Sequence, residues 1–396
     1  MRSLEALVRR KEVIICVGSG GVGKTTTSAV IALHAALSGK RAVVCTIDPA
    51  HRLADSLGLK ELVNEPKLVP KERLETLGFE VKGELHAMML DGGKTLEAII
   101  RKYTASEREA ERVFNSVIYR EGASSLIGSP EYMAVEKLYE LYESGDYDLV
   151  VLDTPPAKHA LDFLTAPDRM VNFLTDNKLL NLLIRPTVQA GSFSSSLISW
   201  ASDRFMPVLN TALSSEFLTA GSEFFTALNG LYDGFRSRAH RVQKLFRDQK
   251  LGFVLVTSPN KLTLDEAAYF HSKLVEFGMP FEGVVVNKVH QNYLKALNGQ
   301  VGPLDDLCHG RRKMEEVVRH FAADLAASGY GDLAQPLLEN FVNYQLLGEI
   351  DEKNLERLSY MVRGEEFIEH VPYFESDIHD LAGLRRISDF LFMPHP

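Results

Sequence analysis

Cysteine is scarce in this chain of 396 residues. The sequence contains three, Cys16, Cys45 and Cys308, which lie far apart and include no CxxC pair. This number and spacing argue against a disulfide framework, and they leave too few thiolates for a zinc site or an iron–sulfur cluster. Cys16 and Cys45 fall within short apolar runs, so we expect both thiols to be buried in strands.

Long apolar runs and an excess of basic residues are also absent. No segment of the sequence approaches the ~20 consecutive apolar residues that a membrane-spanning helix needs. The formal net charge is −9, which argues against nucleic acid as a partner because phosphate binding requires a basic surface. The first residues carry charges on both sides of a short apolar run and show no cleavage-site pattern, so we expect a cytoplasmic protein.

Short β-branched segments recur along the chain, separated by helix-like segments such as Thr25–Leu37. Because most of them are apolar throughout, they are typical of parallel strands buried on both faces. The pattern predicts a doubly wound, mainly parallel α/β sheet, which we expect to form a single domain over residues 1–396. The predicted strands are Val13–Val17, Ala42–Ile47, Leu85–Leu90, Leu149–Leu152, Phe253–Thr257 and Val284–Val286.

Two regions interrupt this alternation, and both have helical periodicity. Residues 95–142 carry mixed charge, whereas residues 170–246 are rich in Phe, Leu, Ser and Thr, with no charged residue in 186–202. Together they predict an inserted helical subdomain. Its apolar faces either pack on one another as a buried core or bind an apolar partner, and the periodicity is the same in both cases.

The segment GSGGVGKT, residues 18–25, fits the phosphate-binding pattern G-x-x-x-x-G-K-[ST]. It follows the apolar run EVIICV and precedes a helical pattern, which is the context that this motif requires. In such a loop backbone N–H groups and a helix N-terminus bind phosphate, the lysine reaches the β- and γ-phosphates, and the threonine ligates Mg²⁺. The predicted nucleotide contacts are Gly20, Gly21, Val22, Gly23, Lys24, Thr25 and Thr26.

Two acidic residues end predicted strands. Asp153 closes DYDLVVLD and Asp48 closes RAVVCTID. Since doubly wound sheets bind ligands at the carboxyl ends of their strands, both carboxylates are expected beside the phosphate crevice. Either could instead cap a following turn. We favour catalytic roles for Lys24, Asp48 and Asp153, with Thr25 on Mg²⁺ directly and Asp153 on it through water.

Three segments, GSGGVGKTTT, TIDPAHRLADSLG and DTPPAKHALDFL, together resemble the family of arsenite-pump ATPases and of ATPases that target tail-anchored membrane proteins. This family belongs to the deviant Walker A class, which includes MinD, ParA and nitrogenase iron protein. The resemblance covers nearly the whole chain and extends to VVVNKV and HVPYFESDIHDLAGL. It implies a P-loop fold, ATP and ADP as ligands with Mg²⁺, and a dimer.

The resemblance also assigns roles to single positions. Asp48 looks like the switch I carboxylate that orients the attacking water, and Asp153 looks like the switch II residue that senses the γ-phosphate. Asn287 resembles the family's adenine-contacting asparagine, and Pro372 resembles the proline of its adenine loop. The zinc-binding CxxC pair and the additional cysteines found in parts of the family are missing here, so we predict no zinc.

Ser19 departs from the family pattern, G-K-G-G-x-G-K-T, whose first lysine reaches the nucleotide of the partner subunit. Three interpretations remain open: a homodimer that hydrolyses ATP slowly, replacement of the lysine by another cation such as Arg52, or a heterodimer with a paralogue that retains its lysine. We favour the third.

The leading hypothesis is a dimeric ATPase switch whose helical region binds an apolar helical client or a membrane protein. The alternative is a regulatory nucleotide-binding subunit with little hydrolysis of its own.

Overall fold

The computed structural model describes most of the sheet and many of the helices around it. The residues that it describes are 3–48, 50–76, 78–104, 106–115, 119, 130–155, 162–169, 171, 229–296, 308, 333–362, 364 and 366–392.

A sheet of eight strands forms the centre of the fold, in the order β3-β4-β2-β5-β1-β6-β7-β8. All neighbouring strands are parallel except β3, which pairs with β4 in the antiparallel direction. Strand β1 lies between β5 and β6, so the chain segments that follow these three strands meet at one edge. The strands are β1 Val13–Gly18, β2 Arg41–Thr46, β3 Lys67–Leu68, β4 Glu84–Met89, β5 Leu149–Asp153, β6 Leu251–Thr257, β7 Phe281–Val289 and β8 Phe367–Pro372.

Helices cover both faces of this sheet. Residues 162–169 are helical. The helices whose two ends are described are α1 Leu4–Arg10, α2 Lys24–Leu37, α3 Arg52–Ser56, α4 Lys71–Glu75, α5 Gly92–Tyr103, α6 Glu107–Asn115, α7 Pro130–Ser144, α8 Asn229–Leu245, α9 Lys261–Glu276, α10 Tyr293–Ala296, α11 Ala334–Met361 and α12 Leu381–Phe392. In the part of the chain described here, no helix combines the length and the apolar character needed to cross a bilayer.

The core consists of two apolar clusters separated by the sheet. Along β1, Val13, Ile15 and Val17 belong to the cluster that includes residues of α5, α7 and α9. Ile14 and Cys16 belong to the cluster that includes residues of α2 and α12. Successive side chains of a strand point to opposite faces, so a strand that is apolar at every position is buried on both. The doubly wound α/β architecture predicted from these runs is confirmed.

The boundaries of the predicted strands differ from the observed ones by a few residues. Two strands were missed: β3, which has two residues, and β8, whose last three residues, HVP, begin the segment that resembles the adenine loop. The sequence of β8 is FIEHVP, in which polar residues interrupt the apolar run. β8 lies at one edge of the sheet, where side chains are partly exposed and polar residues can contact water.

The predicted helical region 95–142 coincides with α5, α6 and α7 where it is described. Most of the predicted region 170–246, including 186–202, lies outside the described residues, apart from residue 171 and the part from Asn229 onward. The inserted helical subdomain therefore stays a prediction. So does the absence of zinc, because His309 and most neighbours of Cys308 lie outside the described residues as well.

A buried ion pair joins α7 to α8. The Arg238 guanidinium contacts Glu136, and the two side chains are 3% and 1% exposed. Tyr132 donates a hydrogen bond to the second carboxylate oxygen of Glu136 at 2.5 Å, and Arg238 also reaches Glu143 at 3.1 Å. Because a buried charge is costly without a partner, this cluster fixes how the two helices pack.

Candidate active site

The loop between β1 and α2 requires glycine at positions where other atoms come close. A Cβ on Gly18 would lie 2.0 Å from the carbonyl oxygen of Val256 on β6. A Cβ on Gly23 would lie 2.3 Å from Nδ2 of Asn287, and the φ of 99° at Gly23 lies in the left-handed region. Gly23 caps the N-terminus of α2, so the backbone N–H groups of its first turn face the loop. This arrangement is suited to binding phosphate.

Lys24 begins α2 and is buried at the base of the loop. Its ammonium donates a hydrogen bond to the carbonyl oxygen of Ser19 at 2.8 Å. Burial lowers the pKa of Lys24, while the nearby carboxylates of Asp153 and Asp48 oppose this change. Arg52, which is exposed at the start of α3, lowers that pKa further and so lies within electrostatic range of the ammonium.

Asp153, the last residue of β5, connects the loop to the neighbouring strand. Its Oδ2 accepts hydrogen bonds from the hydroxyl of Thr25 at 2.6 Å and from the hydroxyl of Thr46 at 2.8 Å. Burial raises the pKa of Asp153 from 3.8 to about 6, and the Asp48 charge adds to this rise. The two hydroxyl hydrogen bonds and the Lys24 charge limit it.

The donor set around Asp153 fits a magnesium ion. Oδ1 of Asp153 is buried and has no hydrogen-bond partner among the residues that the structure describes, although a carboxylate oxygen in that position normally has one. The Thr25 hydroxyl lies on the same carboxylate, and hydroxyl and carboxylate oxygens are ligands that Mg²⁺ accepts together with water and phosphate. Both residues that we predicted to hold the metal are therefore adjacent.

Asp48 lies two residues beyond the end of β2, whereas the predicted strand, Ala42–Ile47, placed it directly after the strand. Its N–H donates to the Thr46 hydroxyl at 3.2 Å, and its Oδ1 accepts from the N–H of Ala50 at 3.0 Å. The half-buried carboxylate thus holds a turn and also contributes to the electrostatics of Lys24 and Asp153. Of the DTPPAKHAL segment, residues 156–161 lie outside the described residues.

Asn287 of β7 contacts the loop directly. Its side-chain amide donates to the carbonyl oxygen of Val22 at 2.9 Å, and its carbonyl oxygen accepts from the N–H of Lys288 at 2.9 Å. Pro372 ends β8, one strand farther out, where it pairs with Val289. The structure therefore brings Asn287 to the loop and places Pro372 beyond it.

The remaining predicted contacts occupy the loop and the first helical turn. Gly20 and Gly21 are exposed, Val22 is buried, and Thr26 lies in the first turn of α2. Ser19 is buried, and its hydroxyl donates a hydrogen bond to Glu266 of α9.

Sequence reasoning missed three polar residues of this site: Thr46, Glu266 and Lys288. The position of Thr46, two residues before Asp48 at a strand end, was a usable signal. The contacts of Glu266 and Lys288 depend on elements that are distant in the sequence, so no local pattern indicates them.

The sequence of this chain is similar to those of known ATPases. A family model described as "Anion-transporting ATPase" matches residues 11–318. The chain is 27% identical over 326 residues to the ATPase GET3 of Malassezia globosa, which covers 82% of this chain and 85% of that protein.

Two further relatives agree with this match. The ATPase get3 of Aspergillus terreus is 27% identical over 79% of this chain and 82% of its own length. A putative arsenical pump-driving ATPase of Aquifex aeolicus is 26% identical over 70% of this chain and 63% of its own length. Since the family model spans most of the chain, and the loop, Asp153 and the sheet have the geometry described above, the chain belongs to the anion-transporting ATPase family and is an ATPase.

Proposed function

We propose that this ATPase is a dimeric switch: ATP closes the dimer, hydrolysis lets it open, and the helical region built from about 95–142 and 170–246 gains and loses a client-binding surface. The observation that carries the proposal is the position of Asp153, which accepts hydrogen bonds from Thr25 of the loop and from Thr46 of β2. One carboxylate thus joins the phosphate loop to the strand that leads to Asp48. A change at the γ-phosphate can bias both segments through it.

Phosphoryl transfer depends mainly on positioning and on stabilisation of charge. In our proposal the backbone N–H groups of the loop hold the phosphates, and the Lys24 ammonium neutralises charge on the β- and γ-phosphates. Asp48 orients the attacking water. Thr25, and Asp153 through water, would hold Mg²⁺, which would supply further positive charge at the phosphates. No covalent intermediate on the protein is needed.

In this proposal the adenine base of the nucleotide binds at the edge of the sheet formed by β7 and β8. Asn287 contacts the adenine in this proposal, and Pro372 lies against the base from β8. The Asn287 amide already bonds the carbonyl oxygen of Val22. A base bound there would therefore share a side chain with the phosphate loop.

The partner is a second copy of this chain or a paralogous ATPase that retains the loop lysine. An apolar helix, such as a membrane-protein segment, is the client we propose, because residues 186–202 contain no charged side chain although they belong to a chain with 24% charged residues. The resemblance to tail-anchored-protein targeting ATPases supports the same client.

Ser19 favours a second candidate function, a regulatory subunit that binds nucleotide and hydrolyses little of it. Its side chain carries no charge and is bonded to Glu266. A cation supplied across an interface is worth ~10³–10⁵ in rate in related chemistry, so its loss can leave hydrolysis to a partner chain.

ATP turnover by the purified chain tests these functions. We would compare the wild type with Ser19→Lys and Asp48→Asn at several protein concentrations. Two matched controls separate charge from other effects: Ser19→Ala removes the hydroxyl without adding a cation, and Asp55→Asn changes an exposed acid of α3 close to Asp48 in sequence.

The switch predicts turnover per chain that rises with protein concentration, increases at least ~10-fold in Ser19→Lys and is lost in Asp48→Asn. Both controls should behave like the wild type. Nucleotide binding without turnover in every variant would contradict the switch and support the regulatory subunit. Absence of nucleotide binding would contradict both.

A further inference from the structure

The end of β7 contains one more residue than the strand beside it. Val286 pairs with His370 and Val289 pairs with Pro372, so three steps along β7 correspond to two along β8. The extra residue is a bulge that includes Lys288, whose φ is 65°. Within the described part of the chain, Lys288 is the only residue other than glycine that has a positive φ. That conformation costs an L-residue about 1–2 kcal/mol.

The bulge changes where the side chains point. Val284, Val286 and Val289 all pack on the same apolar cluster, although strict alternation would place Val289 on the opposite face. The extra residue absorbs this difference, and bulges commonly redirect a side chain in this way. Lys288 is exposed, and its ammonium lies 3.3 Å from the carbonyl oxygen of Gly21 in the phosphate loop.

This contact brings the Lys288 ammonium to a phosphate loop that lacks the first lysine of the family pattern. Ser19 stands where the family has its first lysine, and its hydroxyl is bonded to Glu266. Lys24 is buried and is bonded to the carbonyl oxygen of Ser19. The distance from Lys288 to Gly21 is at the long limit for an N–H···O hydrogen bond, so this bond is weak beside the charge-assisted bond that a phosphate oxygen would offer.

We propose that Lys288 is a phosphate-contacting residue of this ATPase, which binds the polyphosphate of the nucleotide from the open side of the loop and supplies in cis part of the charge missing at Ser19. The inference rests on the proposed nucleotide site. Lys288 contributes charge and position only. The strained backbone is maintained because the bulge aims the ammonium at the loop.

Nucleotide binding by variants of the full chain tests this assignment. Lys288→Gly removes the ammonium and tolerates the left-handed backbone, whereas Lys288→Arg keeps the charge. Lys295→Ala serves as the control, because Lys295 is an exposed lysine of α10 that pairs with Glu352 away from the loop. For each protein we would measure dissociation constants for ATP, ADP and adenosine with Mg²⁺, together with turnover and the melting temperature.

We expect Lys288→Gly to weaken ATP and ADP about tenfold, which is the size of one charge-assisted hydrogen bond. Adenosine binding should stay close to wild type, and the melting temperature should not fall, because glycine relieves the backbone strain at position 288. Lys288→Arg should restore most of the affinity, and Lys295→Ala should change nothing.

Unchanged ATP affinity in Lys288→Gly would overturn the inference and leave the proposed function standing. Equal weakening of ATP, ADP and adenosine would also overturn it, because it would show a role in the base pocket or in the fold. A wild-type chain that binds no nucleotide would overturn the inference together with the proposed function.

Discussion

Replacing Asp153 by Asn should make the protein more stable above pH 6 while abolishing its activity. Asp153 is 1% exposed, and burial raises its pKa from 3.8 to about 6. A pKa that is higher in the folded state means that the folded protein holds this proton more tightly than the unfolded chain does. Stability is therefore lost as the pH rises from 3.8 to about 6, and the full cost applies above that range.

The size of this cost follows from the change in pKa. At about 1.4 kcal/mol for each pH unit, the rise to about 6 corresponds to about 3 kcal/mol at neutral pH. Asn removes the charge and keeps an oxygen that accepts from Thr25 and Thr46. Its amide group, however, introduces donors where Oδ1 now lies without a partner. We therefore expect a net gain on the order of 1–2 kcal/mol.

Urea-induced unfolding of both proteins between pH 5 and pH 8, without Mg²⁺ and nucleotide, measures this effect. The difference between the two curves cancels the other titrating groups, so it should grow as the pH rises from 5 to 7. Asp146→Asn, at an exposed aspartate before β5, is the control and should show no such growth. A variant that is destabilised equally at every pH would refute the reasoning.

Two further substitutions follow from the packing. Gly23→Ala should destabilise the loop by about 2 kcal/mol or more, because its Cβ would meet Asn287 at a left-handed φ. Gly21→Ala, which has a φ of 76° and open space around it, should show only the backbone part of that cost in thermal unfolding. Glu136→Gln should destabilise the chain by up to roughly 3 kcal/mol, because the buried Arg238 loses its buried charged partner and keeps the partly exposed Glu143, and an unchanged urea midpoint would contradict this.

The sequence predicts those parts of the site that depend on local pattern. Strand β1, the glycine-rich loop and the start of α2 are contiguous, so the motif and its context appear together. The strand that ends at Asp153 is equally clear, because an uninterrupted apolar run before an acidic residue specifies both burial and the edge of the sheet where the carboxylate emerges.

The contacts that the sequence does not indicate are those made between distant segments. The bulge at Lys288 changes the register by one residue, and nothing in the preceding run of three consecutive valines, Val284–Val286, indicates this change. The contact of Ser19 with Glu266 joins the phosphate loop to α9, and the two residues are 247 positions apart in the sequence. Strand β8 exists because β7 provides an edge to pair with, although its own sequence has little strand character.

The hydrogen bond from Lys24 to the carbonyl oxygen of Ser19 has a consequence for how this loop tolerates variation. An ammonium has three donors, and one of them is given to the backbone, so the long side chain is already oriented when the other two meet a phosphate. Ordering a long side chain costs about 0.5–1.5 kcal/mol of free energy. Because this cost is already met in the free protein, nucleotide binding does not have to offset it. Because the acceptor is a peptide carbonyl, every amino acid at position 19 provides it. The orientation of the Lys24 side chain is thus independent of the side chain at position 19, which leaves that position free to diverge.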